Sequence, residues 1–485
     1  MPTSRTSDHD RRWLILAVLG TAQLMVVLDS TIVNIALPSA QKALHFSDTN
    51  RQWVVTAYTL AFGSLLLLGG RLADLFGRKR TLIIGLAGFA VASAVGGAAQ
   101  SFGPLIAARA VQGIFAALLA PAALSLLTTT FTDVRERGKA FGIFGAIAGA
   151  GAGIGLLLGG VLTEYISWRW CLYVNLIFAG VAGTGALMLL TKHTRTTRPR
   201  LDIPGTLTAS AGLFALVYGF SEADRKGWTA SSTLAFLAAG VALLVVFVVI
   251  QGRVARPLLP LRIVLDRNRG GSFLAMLIAS ITMFAVFLFL TYYFQQTLGY
   301  SPVKSGLAYL PMVGCIVATS TTSSTVLLPR VGPRPLVTLG MLLGAAGMIV
   351  FAQLGVHSTY GAHVLPGLIL LGLGLGLIFS PAFNTATSGV DPSDAGVASA
   401  TVNTAQQVGG SLGTALLNTI ATTATATFVA GKAASPAITA EAAVHGYTTA
   451  FWWAAAILAT GAVICGLLLQ PGAPRLEPAT QLAPV

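Results

Sequence analysis

The chain has 485 residues, of which 54% are hydrophobic and only 9% are charged. Soluble domains carry about 25% charged residues, so the composition excludes a soluble enzyme or a soluble binding domain as the bulk of this protein. The formal net charge of +14 does not indicate nucleic-acid binding, because the basic residues form no single patch along the sequence.

Apolar segments long enough to cross a bilayer recur along the whole sequence. A spanning helix needs about 20 mostly apolar residues, and helices are expected because backbone polar groups in the hydrocarbon must be satisfied internally. Fourteen spans are predicted, near 13–37, 53–70, 81–99, 104–130, 140–162, 171–190, 204–221, 232–251, 271–294, 303–327, 336–354, 364–384, 396–422 and 449–469. The sequence therefore predicts an all-α polytopic membrane protein.

The 30 Lys and Arg residues sort by loop across this predicted topology. Twenty-two fall on the side of the N-terminus and 7 on the opposite side, and Arg109 lies within a span. Because Lys and Arg accumulate in cytoplasmic loops, both termini are predicted to be cytoplasmic. The first apolar run is too long for a signal-peptide core, so we expect an uncleaved span.

Asp29 lies in the outer half of the first predicted span, within the segment Leu28–Pro38. Burying a carboxylate in a bilayer costs several kcal/mol, so an acid at this depth is by default a functional residue. A low-dielectric surrounding favours the neutral form of an acid, which suits reversible protonation. The alternative is a structural carboxylate that is permanently paired with one cation.

The segment Gly69–Arg80 is charged and glycine-punctuated, and it separates two long apolar runs. It predicts a tight loop on the side where basic residues accumulate. Asp74 and the cations Arg78 and Arg80 could hold the cytoplasmic side closed, and Glu136 would extend this network. Anchoring by the positive-inside rule explains the cations equally well, but explains Asp74 only in part.

The segment Gly69–Arg80 resembles the loop between helices 2 and 3 of the major facilitator superfamily, and Leu28–Pro38 resembles the helix-1 signature of its fourteen-helix drug:proton antiporter family. The resemblance covers nearly the whole chain. It implies gating residues Gly70, Asp74, Gly77, Arg78, Arg80 and Glu136, and a role of Asp29 in proton or substrate coupling.

Two halves of the sequence echo each other at an offset of 255 residues, because Gly77–Arg80 and Gly332–Pro335 each follow the second span of a half. We predict a six-helix bundle at 13–190, a linker at 191–270 with two extra helices near 204–221 and 232–251, and a second bundle at 271–470. Polar tails occupy 1–12 and 471–485. Parallel repeats place the transport path at the interface between bundles.

Arg109 stands in the segment Ala107–Gly113, which matches the family's helix-4 motif. The predicted depths of Asp29 and Arg109 are similar, so the two side chains can meet. A pair whose separation changes between transporter states would load and release a proton; the alternative is a static ion pair. The offset puts Phe284 and Val364 at the corresponding positions of the second half, so proton chemistry is expected only in the first.

The fifth predicted span is rich in glycine, and repeated four-residue spacing gives a groove for close backbone approach. The family's antiporter motif maps onto Gly151, Gly155, Gly159 and Gly160, but Leu156 stands where the motif has proline. The resemblance ties this motif to exchange, and the missing proline leaves the direction of transport open. Ordinary helix packing is the alternative explanation of the glycines.

A substrate cavity needs apolar walls and a few polar groups. The candidates are Asn34, Gln112, Phe284, Phe287, Tyr292, Gln295, Gln296, Asn384, Asn403 and Gln407. Many of the aromatic residues could instead face lipid or the protein core. The amides are stronger candidates, since an amide within a span seeks a hydrogen-bond partner.

The sequence contains no phosphate-binding loop, no metal-ligand spacing and no nucleophilic triad, so we expect neither an enzyme nor a bound cofactor. The resemblance implies a monomeric exporter in the lipid bilayer of a bacterial plasma membrane, which exchanges protons for amphipathic drugs or antibiotic-like compounds. Two alternatives stay open: a transporter of a native metabolite, in either direction, on the same fold, and a membrane sensor or scaffold that transports nothing.

Overall fold

A computed structural model describes residues 4–46, 53–191, 202–254, 257–390, 394–433 and 435–472. Across these ranges the protein is built from helices and the turns between them, without a strand. The first half consists of α1 (Ser4–Leu44), α2 (Trp53–Phe76), α3 (Arg78–Gly97), α4 (Phe102–Thr130), α5 (Val134–Tyr165) and α6 (Trp170–Leu189). Two further helices follow, α7 (Ile203–Lys226) and α8 (Ser231–Gln251).

The second half repeats the six-span pattern with more interruptions. It contains α9 (Leu261–Leu265), α10 (Arg267–Tyr292), α11 (Pro302–Ala308), α12 (Leu310–Thr322), α13 (Leu328–Val331), α14 (Pro333–Phe351), α15 (Leu365–Thr387), α16 (Ala395–Val429) and α17 (Pro436–Leu468). Single π-helical turns at Tyr293–Thr297, Ser323–Leu327 and Tyr360–Val364 adjoin α10, α12 and α15. The predicted span 303–327 is therefore several helical pieces in one membrane crossing.

Thirteen helical segments in the described part of the chain are long and apolar enough to cross a membrane. The fourteenth predicted span is α5. Its apolar stretch, Gly153–Tyr165, is shorter than the stretches of the other thirteen. The whole α5 helix has 32 residues, which corresponds to roughly 48 Å at 1.5 Å per residue. Its length suffices for a crossing, and the predicted fourteen-helix, all-α fold is confirmed.

The loop predicted within Gly69–Arg80 is only one residue long. Helix α2 continues to Phe76 and α3 begins at Arg78, so only Gly77 separates them. Gly77 has φ 93°, a left-handed conformation that glycine adopts without the steric penalty of a side chain. Charged residues at a membrane surface can continue a helix, which a hydropathy window does not detect.

Helices also extend past their predicted bounds at both ends of the chain. Helix α1 begins at Ser4, within the predicted tail 1–12. Helix α17 begins at Pro436, well before the predicted start at 449, and its N-terminus is capped by Ser435, whose Oγ accepts a hydrogen bond from the Ile438 N–H at 3.2 Å. The predicted tail 471–485 lies outside the described residues after Gly472.

The two halves contact each other mainly through two helix pairs. Helix α5 lies against the span that α11 and α12 form together, and α2 lies against α16. A Cβ added at Gly306 would be 2.5 Å from the Leu157 Cα, and one added at Gly63 would be 3.5 Å from the Gln407 Cβ. These pairs are equivalent under the repeat, because each joins the second span of one half to the fifth span of the other.

The extra pair, α7 and α8, packs beside the α2–α16 contact. Helix α7 contacts both α2 and α16, and one apolar cluster joins all of these elements. Its buried members are Leu67, Ala209, Leu213, Phe247, Leu258, Leu259, Val397 and Ala400. The pair is thus part of the packed membrane body and covers one of the two lines along which the halves meet.

We call the side of the molecule where α1 begins and α17 ends the terminal face, and the opposite side the far face. Arg11 donates to the Leu189 carbonyl at 2.9 Å, Lys79 to the Leu187 carbonyl at 3.0 Å, and Arg267 to the Leu467 carbonyl at 2.8 Å. Cations are stabilising at helix C-termini, where carbonyl groups lack intrahelical partners. These contacts fix the ends of α6 and α17 at the terminal face.

Candidate functional site

Asp29 lies at the centre of a polar cluster inside the first half and is fully buried. Its Oδ2 is 2.5 Å from Nη1 of Arg109. Its Oδ1 accepts hydrogen bonds from Nε2 of Gln112 at 3.1 Å and from Nδ2 of Asn175 at 2.7 Å. The predicted meeting of Asp29 and Arg109 therefore occurs, and two amides complete the surroundings of the carboxylate.

Arg109 is held on several sides and is itself fully buried. Its Nε donates to the Val54 carbonyl at 3.1 Å and its Nη1 also donates to Oε1 of Gln112 at 2.9 Å. The guanidinium carbon lies 4.4 Å from the centre of the Tyr58 ring, within the range of a cation–π contact. Five helices, α1 to α4 and α6, thus contribute to one cluster, since Gln112 donates to Ser93 on α3 at 2.7 Å.

Within α1, Asp29 contributes its carboxylate to this cluster, and the neighbouring hydroxyl groups do not donate to it. The hydroxyls that follow Asp29 bond back to their own helix: Ser30 Oγ donates to the Val27 carbonyl at 2.6 Å, and Thr31 Oγ1 to the Leu28 carbonyl at 3.1 Å. A buried ion pair is costly to form and more costly to break, because removing one partner leaves an uncompensated charge. Loss of the charge on either partner would therefore disturb the whole cluster.

Three members of the cluster were missed in the sequence: Tyr58, Ser93 and Asn175. Asn175 stands in the otherwise apolar sixth span, and an amide within a span seeks a partner, so this signal was present but unused. Gln112 was predicted to line the substrate cavity, and the structure places it in the Asp29 cluster. Its amide is used within the first half, where it bridges Asp29, Arg109 and Ser93.

Among the described residues, the second half has no comparable cluster at the equivalent place. Val364 is fully buried in a π-helical turn, and the side chain of Phe284 lies outside the described residues. Aromatic rings fill the neighbourhood: Phe287 and Phe294 lie 5.3 and 5.4 Å from the ring of Tyr309. The repeat in this region carries apolar packing where the first half carries charge.

The glycines of α5 face α1 at the level of Asp29. A Cβ at Gly151 would lie 3.1 Å from Val27, one at Gly155 would lie 3.1 Å from the Leu28 carbonyl, and one at Gly159 would lie 2.9 Å from the Ile32 carbonyl. Gly160 is buried on the same helix. Residues four apart share a helix face, so α5 lies close against α1 over about two turns, and at Gly155 and Gly159 the contact is with the α1 backbone.

The opposite side of α5 faces the second half. A Cβ at Gly145 would be 3.0 Å from the Ser380 Cα, and one at Gly142 would be 3.5 Å from the Ser324 Cβ. Leu156, which replaces the family's proline, is fully buried within the unbroken helix. One helix thus joins the Asp29-bearing α1 to the interface between the halves.

The predicted gating residues come together only in part. Asp74 is fully buried and pairs with Arg78 at 3.6 Å. Arg80 is exposed, and no hydrogen bond or ion pair joins it to the part of the chain that the structure describes; its placement in the network is corrected. Glu136 accepts from Arg12 at 3.3 Å, so this acid ties α5 to the start of α1.

A contact between the halves at the terminal face comes from a residue outside the predicted set. Arg137 Nη2 donates to the Thr387 carbonyl at 2.9 Å, at the C-terminal end of α15. Gly70 is buried in α2 and Gly77 forms the turn before α3. The closing contact thus uses an arginine of α5 and a helix C-terminus.

The remaining cavity candidates are scattered. Gln407 lies at the contact between the halves beside Gly63, and Asn403, one turn earlier on α16, donates to the Ser399 carbonyl at 2.9 Å. Asn384 accepts from Ser388 Oγ at 2.9 Å near the terminal face. Half-buried side chains are Asn34, Tyr292 and Gln295, whereas Phe287 is buried and Gln296 is exposed at the far end of α10. Gln296 stands in the π-helical turn Tyr293–Thr297 that follows α10, and its role in the cavity stays a prediction.

A fourteen-helix body made of two related halves, with an ion pair buried in one of them, defines a polytopic transporter of the alternating-access class. The profile of the Major Facilitator Superfamily matches residues 19–414. The chain belongs to the major facilitator superfamily.

Several relatives are similar over nearly the whole chain. The puromycin resistance protein pur8 of Streptomyces alboniger is 53% identical over 463 residues, covering 95% of this chain and 92% of the relative. The cephamycin export protein CmcT of Amycolatopsis lactamdurans is 41% identical over 421 residues, 86% of this chain and 87% of the relative. The crystal structure of the human organic anion transporter MFSD10 has a TM-score of 0.65 at 14% identity and covers 95% of this chain and 99% of that one, a likeness in fold.

Proposed function

We propose that this protein exports amphipathic, antibiotic-like compounds across the plasma membrane of a bacterium in exchange for protons. The observation that carries the coupling is the fully buried Asp29, which bonds to Arg109, Gln112 and Asn175. The relatives' names support the substrate class: the similar proteins confer puromycin resistance or export cephamycin. No enzymatic activity is assigned.

Protonation of Asp29 would change the energy of the whole cluster. The carboxylate neutralises Arg109 in a site without bulk water, where charge interactions are strong. A protonated Asp29 leaves the Arg109 cation without its counter-charge, and one carboxyl oxygen becomes a donor. The arrangement around a charged Asp29 is thus not the best arrangement around a neutral one, so α1 has two preferred positions.

Helix α5 supplies the route by which a movement of α1 reaches the substrate path. Its glycines lie against α1 at Leu28 and Ile32, and its other side lies against Ser380 of α15. Close backbone contact leaves little slack, so a displacement of α1 moves α5 against the second half. Two packings of one interface are the usual basis of alternating access.

The terminal face is proposed to be cytoplasmic. Arg11, Lys79 and Arg267 hold helix ends there. The topology predicted from the sequence assigns 22 of the 30 basic residues to that side, which fits the positive-inside rule. The far face would then meet the more acidic exterior. One chain supplies the complete cluster, so a monomer in the lipid bilayer suffices for transport.

Transport in reconstituted vesicles tests this proposal. An imposed pH gradient should drive puromycin uphill through the wild-type protein, and Asp29→Asn should abolish gradient-driven accumulation while puromycin still binds. Glu441→Gln, an exposed acid of α17, is the matched control and should transport normally. Uphill transport by Asp29→Asn equal to wild type would disprove coupling through this residue.

A transporter of a native metabolite, in either direction, is the second candidate, favoured by Leu156 in place of the motif's proline. Inside-out and right-side-out vesicles separate the directions. With an exporter, substrate accumulates in inside-out vesicles when their lumen is acid; accumulation in right-side-out vesicles with acid outside would identify an importer. Binding without any transport would identify a non-transporting sensor.

A further inference from the structure

Two buried polar atoms of the Asp29 cluster, Arg109 Nη2 and Asn175 Oδ1, lack a hydrogen-bond partner among the described protein atoms. The Nε and Nη1 groups of Arg109 donate to Val54, Asp29 and Gln112, but Nη2, which is also buried, finds no acceptor among the described protein atoms. A charged donor buried without an acceptor is costly, and water is the usual partner of such a group.

A small cavity adjoins this arginine. It has a volume of about 10 Å³, and Arg109 is the charged residue in its wall. About 10–15 Å³ is the space that one water molecule needs. We call it the far-face pocket; its other walls include Ala36 and Leu37 of α1, Val54 of α2, Leu105 of α4 and Cys171 of α6.

The far-face pocket lies on one side of the ion pair only. Leu37 is near the end of α1, Val54 and Leu105 are near the starts of α2 and α4, and Cys171 is near the start of α6, so these walls belong to the far-face ends of their helices. Toward the terminal face, Phe89 is one turn from Ser93 on α3 and is fully buried. Access to Arg109 is thus shorter from the far face.

The pocket is also separate from the contact between the halves. Its lining residues come from α1, α2, α4, α6 and the turn before α6, and none comes from residues beyond Leu172. The groups that bond Asp29 likewise belong to the first half. A path through the pocket would therefore not pass through a substrate site between the bundles.

We propose that the coupling proton reaches Asp29 from the far face through this pocket, by way of a water molecule held by Arg109, and not through the substrate path. This rests on the proposed function. A hydronium ion at the mouth transfers a proton through the bound water to a carboxylate oxygen of Asp29; an O–H bond forms there, and neutral water remains in the pocket. The proton and the substrate can then occupy the protein along different routes.

The other titratable or charged groups near this route are already engaged. Tyr58 stacks on the guanidinium and donates to the Val26 carbonyl at 3.4 Å, and Cys171 Sγ donates to the Gly159 carbonyl at 3.7 Å. Arg169, beside Trp168 at the mouth, donates to the Gly97 carbonyl at 2.8 Å. Among the described residues on this route, Asp29 supplies the carboxylate that accepts the proton.

Filling the pocket tests the proposal. In Ala36→Leu the added carbons occupy the space beside Arg109, so the rate of pH-driven puromycin transport in proteoliposomes should fall by about tenfold, equivalent to 1.4 kcal/mol in the barrier. Equilibrium binding of puromycin at fixed pH should stay within about twofold. Ala107→Leu adds the same volume on the exposed face of α4 and should change neither quantity.

Widening the pocket gives an independent readout that does not depend on the folding of Ala36→Leu. Leu105→Ala should let protons pass faster, seen with a pH-sensitive dye as a severalfold larger proton leak without substrate, and the leak should vanish in Leu105→Ala with Asp29→Asn. Normal coupled transport in Ala36→Leu, or no extra leak in Leu105→Ala, would overturn the route. If Asp29→Asn itself still couples transport to protons, the proposed function fails instead.

Discussion

Both halves of the molecule pack a glycine of one helix against the backbone of another, but only the first half has a buried acid beside that contact. In the first half, Gly155 of α5 lies against the backbone of α1 at Leu28; in the second, Gly413 of α16 lies against α10, where a Cβ would be 2.6 Å from the Ile281 Cα. Only the first of these contacts adjoins a buried acid. Close glycine packing is thus common to both halves, and the ion pair of Asp29 and Arg109 distinguishes the first half.

The difference follows from the costs of the two arrangements. Aromatic packing such as Phe287 and Phe294 around Tyr309 stabilises a half by dispersion and excluded lipid. A buried ion pair contributes little net stability, so its presence in one half needs another explanation. One titratable site is sufficient for exchange, and the other half can remain a rigid partner.

Removing the cation should have the largest effect on this asymmetry. Arg109→Met leaves Asp29 buried without a counter-charge, which costs about 3–5 kcal/mol and should lower the melting temperature of the purified protein strongly. Val364→Met, at the equivalent position of the second half, should cost less. Adding Asp29→Asn to Arg109→Met should restore part of the loss; an equally unstable double variant would show that charge is not the cause.

Losing one amide should have a smaller effect. Asn175→Ala removes the 2.7 Å hydrogen bond to Asp29, and a bond to a charged group contributes about 1.5–3 kcal/mol. Thermal unfolding measures the change. Asn403→Ala is the comparison in the second half, since its amide bonds a neutral carbonyl at 2.9 Å and should contribute about 0.5–1.5 kcal/mol. Equal losses would remove the distinction between the halves.

The two glycine contacts can be separated by function. Gly155→Ala and Gly413→Ala each push a methyl group into a neighbouring backbone, at a cost of about 1–3 kcal/mol. Both should lower stability, but only Gly155→Ala should reduce the number of protons moved per substrate, measured in proteoliposomes. Gly183→Ala, with nothing within 4 Å, is the control. If Gly155→Ala lowers stability but leaves the number of protons moved per substrate unchanged, α5 does not transmit the movement of α1.

The sequence predicted the spans and the depth of the ion pair, because both depend only on the order of apolar and polar residues along each helix. It did not predict Asn175 as a ligand of Asp29, since the rotation of each helix about its axis decides which amide faces the acid. The sequence likewise does not show that Gln112 faces Asp29, because the rotation of α4 about its axis decides this. Hydropathy favours a loop at Gly69–Arg80 because it registers only apolar side chains, whereas backbone hydrogen bonding continues α2 to Phe76.

The smallest effect is expected at the terminal face, where Arg137 of α5 donates to the Thr387 carbonyl across the halves. Arg137→Ala removes one half-buried hydrogen bond worth about 0.5–1.5 kcal/mol. Because this contact exists only while the halves are closed here, its loss should shift the population toward the open form by roughly two- to tenfold. Distances between spin labels at the terminal ends of α5 and α15 measure that shift.

Arg80→Ala is the matched control for this measurement, since Arg80 is a nearby arginine that is exposed at the same face. Its loss should leave the distance distribution unchanged. If both variants shift the population equally, surface charge holds the face closed and the specific contact does not. A shift confined to Arg137→Ala would mean that α5, which meets the acid-bearing helix on one side, also closes the terminal face on the other, so that one helix joins the proton site to the gate.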